Sequence, residues 1–367
     1  MISSPARPVL FILAAALLFG SSAPMAKMAL AGIAPITLAS MIYLGSGGGT
    51  AVYRLFRHLR GVTTTEPPLT RAAVPWVIGA SFFGAVLATT SLTLSLRSVT
   101  AWEASVLLSF EAVATALVAR IVSGERAGKR VWTALGCITL ACITLAWRPE
   151  LPLGLSIGAA GILFTCLCWG VDTSCSRQVA GRDPLAIVMY KGLFAGVITF
   201  IVARIIGEPL PGAMPVAAAA LIGMTGFGGL MTFCFLKALR DLGPARTGSY
   251  FGINPVFGII VGLILFRDLP GLIFIPAVCL MLTGIVILLT EHHSHPHRHM
   301  PEVHDHRHRH DDDHHKHLHP KGTPQTGPDG YHTHLHSHEE IVHEHEHTPD
   351  IHHQHRHKRQ VVSKEQR

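Results

Sequence analysis

Histidines spaced one residue apart crowd the C-terminal end of this chain. His304, His306, His308 and His310 sit in "HDHRHRH", and His314, His315, His317 and His319 follow in "HHKHLH". His332, His334, His336 and His338 make "HTHLHSH", His343, His345 and His347 make "HEHEH", and His352, His353, His355 and His357 make "HHQHRH". Neutral imidazoles suit zinc, nickel, copper and cobalt. A flexible H-x-H run gathers several such ligands without a folded cage, and the interleaved Asp311, Asp312, Asp313, Glu344 and Glu346 supply further acceptors. The composition predicts metal binding, with zinc, nickel or cobalt as the expected ions. A cytoplasmic metal buffer and a pH-sensitive charge cluster are the two plainer uses, since imidazoles titrate near pH ~6.5.

A second set of reactive groups lies in apolar surroundings: Glu111, Asp172 and Lys191, with Glu103 near a span end. An ionisable side chain inside a bilayer costs about 2.5–3.5 kcal/mol even on the lenient insertion scale, so each asks for a reason. Glu103 and Glu111 are eight residues apart, about 80° round a helix, so both could face one cavity. Glu111 could carry a coupling proton or hold a cationic part of a solute; a structural contact, such as a pair with Lys191, is the plainer reading. Asp172 and Lys191 could neutralise each other, and Glu103 could reach the membrane surface. Trp169-Gly170 and Asn254-Pro255 interrupt the helical pattern, which makes Trp169 and Asn254 candidates for lining a cavity.

The elements that must position these groups are membrane helices. Residues 1–291 hold one histidine, His58, and their 20 Lys/Arg and 11 Asp/Glu leave charged residues well below the usual share of a soluble domain. Apolar stretches predict ten spans near 8–28, 33–53, 73–95, 99–121, 131–148, 155–177, 184–206, 215–237, 245–266 and 271–290. The first could pass for a secretory signal, but nine further spans favour a retained helix. All seven cysteines fall within apolar runs, where they serve as small packing residues rather than a disulfide framework. Arg54, Arg57, Arg60 and Arg71, then Arg120, Arg126, Lys129 and Arg130, then Arg177 and Arg182, then Lys237, Arg240 and Arg246 gather in alternate loops. By the positive-inside rule both termini are cytoplasmic, and so is the tail. That tail, residues 291–367, has too few apolar residues to order itself and is expected to be disordered alone.

The chain also repeats itself. A shift of 143 residues lays 107–127 on 250–270 without a gap, with Glu111 over Asn254, Ala112 over Pro255 and Glu125 over Asp268. A shift near 150 lays 17–27 on 166–177, with Phe19-Gly20 over Trp169-Gly170. Two five-span halves follow, 8–148 and 155–290. An odd span number inserts the second half upside down, an arrangement used by alternating-access transporters with a midplane site. Glycines at 248, 252, 258 and 262, and the pair Gly192/Gly196, have the spacing of close helix packing; a homodimer contact is the alternative.

These features resemble the drug/metabolite transporter superfamily, in particular its EamA-type ten-helix members. The likeness is carried by "FGSSAPMAKMAL" (19–30), by residues 98–147 with the run from Glu111 to Gly124-Glu125, and by the echo of both through residue 290. Arg267-Asp268 stands where the family usually has Gly-Glu, and the tail lies outside the family pattern. The resemblance implies an all-α integral membrane protein: a basket of ten helices in two inverted five-helix repeats round a central cavity. It also implies export of small metabolites, amino acids or drugs across a bacterial inner membrane by a proton- or gradient-driven route. Divalent-metal efflux (nickel, cobalt or zinc), with the tail collecting the ion, is the alternative; a membrane-anchored metal reservoir or sensor is a second. No G-x-x-x-x-G-K-[ST] loop and no nucleophile–base pairing are present, so neither ATP as the direct energy source, nor a nucleic-acid partner, nor an enzyme is expected.

Overall fold

The computed structural model describes residues 6–62, 66–123, 128–147, 156–179 and 181–290 and, in the tail, 294–299, 302–308, 332–338 and 341–346. Up to residue 290 the regular structure is helical: α1 (Ala6–Ala29), α2 (Pro35–Leu59), a 3-10 turn and α3 (Val74–Ala80), a π-helical segment (Ser81–Leu87), α4 (Ala88–Ser95), α5 (Ala101–Leu108) and α6 (Phe110–Ser123). The chain continues through α7 (Lys129–Ala146), α8 (Ile157–Arg177), α9 (Pro184–Ile206), α10 (Ala213–Gly226), α11 (Gly229–Phe251), α12 (Asn254–Phe266) and α13 (Phe274–Leu289). Seven stretches among the described residues are long and apolar enough to cross a membrane: 7–29, 71–95, 101–122, 129–146, 157–177, 184–206 and 213–239. α12 and α13 are shorter apolar helices, and α2, rich in glycine and ending in "RLFRHL", does not meet the same measure.

Local chemistry sets the ends. Asp183 caps α9, accepting the backbone N–H of Leu185 (3.0 Å) and Ala186 (3.2 Å), with Pro184 at the first helical position. α9 stops at Gly207, whose φ of 82° is left-handed and suits glycine. α11 is not one straight rod. The rings of Phe235 and Phe251 lie 5.3 Å apart, whereas sixteen residues of straight helix would separate them by about 24 Å. The chain therefore doubles back within α11, in a stretch holding Gly243-Pro244, which divides the helix between two neighbouring stretches as the apolar pattern requires.

The packing follows the repeat. α2 lies on α9 and α7 on α13, each pairing equivalent elements of the two halves. α1 packs on α11 and α12, while its counterpart α8 packs on α4, the π-helical segment and α6. Exchanging the halves thus reproduces the contact pattern. The α2–α9 contact is backbone-close: a methyl group added at Gly192 would stand 2.6 Å from the amide nitrogen of Gly47. Gly258 meets the Ser105 side chain and the Gly20 carbonyl, and Gly262 meets the backbone of Trp102. These glycines are therefore used inside the chain.

Both ends of the α2–α9 pair are pinned. Arg54 of α2 forms an ion pair with Asp183. At the other end Glu208 accepts the N–H of Ile36 (3.2 Å) and Thr37 (2.7 Å) and the Thr37 hydroxyl (2.8 Å), supplying the cap that Ala34 cannot.

In the tail, four short extended segments pair antiparallel in twos: Ser294–His299 with Ile341–Glu346, and Glu302–His308 with His332–His338. The register sets His304 opposite His336, His306 opposite His334 and His308 opposite His332. The H-x-H alternation shares the two-residue period of a strand; a two-stranded ribbon is marginal alone in water. His310, His314, His315, His317, His319, His347, His352, His353, His355 and His357 lie outside the described residues.

Candidate functional site

Three charged side chains meet between α6, α8 and α9. Asp172 and Lys191 form an ion pair in which each side chain is mostly shielded (13% and 19% exposed), and Ser176 donates to Asp172 Oδ1 at 3.0 Å. Trp169, Asp172 and Ser176, at i, i+3 and i+7, share one stripe of α8. Glu111 occupies the first turn of α6, where the helix dipole favours negative charge, and lies within electrostatic reach of Asp172 and Lys191. It is half-buried and has no hydrogen-bond or ion-pair partner among the described residues. The sequence expectation that Asp172 and Lys191 neutralise each other agrees with the structure. Lys191 is committed to Asp172, so the plainer reading of Glu111 as its partner does not hold.

Glu111 reaches this place because the fourth stretch is broken. α5 ends at Leu108, and Ser109 bridges to α6, its N–H and hydroxyl both bonding the Val106 carbonyl at 3.0 and 2.6 Å. The repeat-related position breaks too: Ile253 bonds back to Tyr250, α12 starts at Asn254, and the Asn254 amide donates to the Phe251 carbonyl at 3.0 Å. Pro255, fitted to a first helical turn, marks that second break. Trp169-Gly170, in contrast, interrupts nothing, for α8 runs unbroken from Ile157 to Arg177. Gly170 is there for contact: a Cβ on it would lie 3.0 Å from the carbonyl of Ala114 in α6.

Glu103 does not join the cluster. It completes a capping box at the start of α5, its N–H bonding Thr100 Oγ1 at 3.3 Å while its carboxylate takes the Thr100 N–H at 3.4 Å, and it is 4% exposed. The motif Thr-x-x-Glu was readable in "TAWE". Glu103→Ala is expected to cost about 1 kcal/mol of stability, as cap losses do; thermal unfolding in detergent checks this, and the KM for efflux should stay where it was.

Aromatic rings gather beside α1. Phe19 stands 5.9 Å from Trp169 and 5.5 Å from Phe251, ring centroid to centroid. Two participants were not singled out from the sequence. Tyr43 of α2 donates its hydroxyl to the Gly84 carbonyl at 3.3 Å, and Trp169 donates its indole N–H to the same oxygen at 3.0 Å. A tyrosine amid apolar residues needs a partner for its hydroxyl, a signal that could have flagged Tyr43; nothing in the sequence marks Gly84. No group of three or more His, Cys, Asp or Glu among the described residues is placed to hold a metal ion.

Charged groups thus gather where two sets of apolar helices meet. The EamA-like transporter family model matches residues 6–147 and again 156–290. The chain belongs to the EamA-like transporter family, with the family domain present twice. A protein of Methanothermobacter thermautotrophicus described as an uncharacterized transporter is 23% identical over 296 residues, covering 76% of this chain and 84% of its own. A solved crystal structure shares the fold at a TM-score of 0.55 and 18% identity, covering 76% of this chain and 94% of the other.

Proposed function

We propose that this protein is a secondary-active exporter of small organic solutes that works by alternating access. Its ten spans form two inverted five-span halves in a bacterial inner membrane, with both termini cytoplasmic. α3 to α4, α5–α6, and the two arms of α11 with their neighbours each count as parts of single spans in this reading. The observation that carries it is Glu111: a half-buried carboxyl without a fixed partner, beside a closed ion pair, where the halves meet. Such a group can take a coupling proton or a cationic solute in turn, while Asp172–Lys191 holds the surrounding helices. Trp169 and Phe19 offer an apolar wall, and Asn254 mirrors Glu111 without a charge.

The tail is proposed to bind zinc, nickel or cobalt as an accessory. Its H-x-H composition supports that chemistry. Export of the metal itself is the second reading, favoured by so large a chelator and weakened by the scarcity of imidazole before the tail, where residues 1–291 hold His58 alone, in the last turn of α2.

The test is efflux from liposomes containing purified protein, with divalent metals and a panel of organic solutes, each with and without residues 292–367. Organic-solute efflux under an imposed pH gradient, unchanged by removal of the tail, is the expected result. Metal efflux that falls when the tail is removed would replace this reading with the second.

A further inference from the structure

The π-helical segment Ser81–Leu87 is the one described stretch of the membrane helices wound in this wider form, and such turns widen a helix locally and free backbone groups for other partners. At its centre the Gly84 carbonyl serves two donors from different halves: Tyr43 from the first and Trp169 from the second. Thr89, one turn further on, donates to the Tyr43 oxygen at 3.3 Å, so the ring is held from both sides. On its other side Gly84 has no side chain where Asp172 needs room. A methyl group built there would overlap the Asp172 carboxylate and stand 2.6 Å from its Cβ, closer than carbon atoms approach. That carboxylate is the one paired with Lys191.

We propose that Gly84 is a positioning residue: its carbonyl fixes Trp169 and Tyr43 while its bare Cα seats the Asp172 carboxylate against Lys191. One backbone unit of the first half thereby sets the geometry of a charged pair that belongs wholly to the second. Any side chain at 84 pushes α8 away from the π-helical segment, separating Asp172 from Lys191 and the indole from its acceptor together. The link from this geometry to solute movement rests on the transport-site reading given above.

Two measurements without any solute test the positioning. Full-length protein carrying 15N at its five tryptophans gives one indole signal per residue, and Trp169→Phe identifies the relevant one. Gly84→Ala is expected to move the Trp169 indole proton upfield, as a lost hydrogen bond does, with the other four signals in place. Tyr43→Phe, which removes only the competing donor, should shift the same signal and no other. The second measurement is a thermal-unfolding cycle. Gly84→Ala alone should lower the midpoint strongly, whereas adding Gly84→Ala to Asp172→Gly, which vacates the space, should lower it no further. An indole signal unmoved by Gly84→Ala, or losses that simply add in the double variant, would overturn the proposal. Efflux separates the two readings: if Glu111→Gln transports the panel's best solute normally while both positioning results hold, the transport-site reading fails and Gly84 keeps its role.

Discussion

Glu111→Gln is expected to reduce gradient-driven efflux to the level of empty liposomes while the protein remains folded. Glutamine keeps the size and hydrogen-bonding reach of the side chain but can neither bind nor release a proton and carries no charge. Because Glu111 has no hydrogen bond or ion pair to lose among the described residues, the fold should tolerate the change, and the unfolding midpoint should stay close to that of the parent protein. Exchange of labelled for unlabelled solute at equal pH on both sides tells the two roles apart. If exchange survives the substitution, Glu111 carries the coupling proton; if exchange is lost as well, the carboxylate holds the solute. A variant that pumps as well as the parent would remove Glu111 from the mechanism.

The largest stability effect is expected at the Asp172–Lys191 pair. Lys191→Met alone leaves a carboxylate, and Asp172→Asn alone leaves an ammonium, without its countercharge in surroundings that expose less than a fifth of either side chain. Breaking a shielded pair from one side costs about 3–5 kcal/mol, because the surviving charge keeps its desolvation penalty and loses its compensation. Replacing both partners removes the penalty together with the attraction. The double variant Asp172→Asn/Lys191→Met should therefore unfold at a higher temperature than either single variant. Unfolding followed by tryptophan emission in one detergent, across all three variants, checks the order. Equal losses in single and double variants would mean that the pair contributes little beyond its packing.

What the sequence reveals of this fold and site follows the kind of signal each feature leaves. The apolar runs and the 143-residue repeat placed the helices, because hydrophobicity and repetition survive any detail of packing. The break before Asn254 was legible because Pro255 announces it; its equivalent at Ser109 was not, since nothing in "LLSFEA" disfavours a helix. Trp169-Gly170 misled for the opposite reason. A glycine can mark an interruption or a close approach, and only the contact with Ala114 decides between them. Glu103 was drawn towards Glu111 by helical spacing, though the same four residues spelled a cap. The spacing argument assumed one continuous helix where the chain has two. The node at Gly84 was beyond reach, for a π-helical turn depends on partners more than forty residues away.

The α2–α9 clamp bears on how the protein is made. α2 leaves the ribosome early, glycine-rich and short of the apolarity that holds its neighbours in lipid. The acid that satisfies its first turn, Glu208, is translated some 170 residues later, and the glycine face of α9 on which it rests some 150 residues later. Until that partner emerges, α2 has free amides at one end and, of the first half, only α4 and the π-helical segment to rest on. The insertion machinery, or lipid at the boundary, must shelter that end of it until α9 and Glu208 have followed. The arrival of α9 and Glu208, early in the second half, is thus the event that settles a helix of the first.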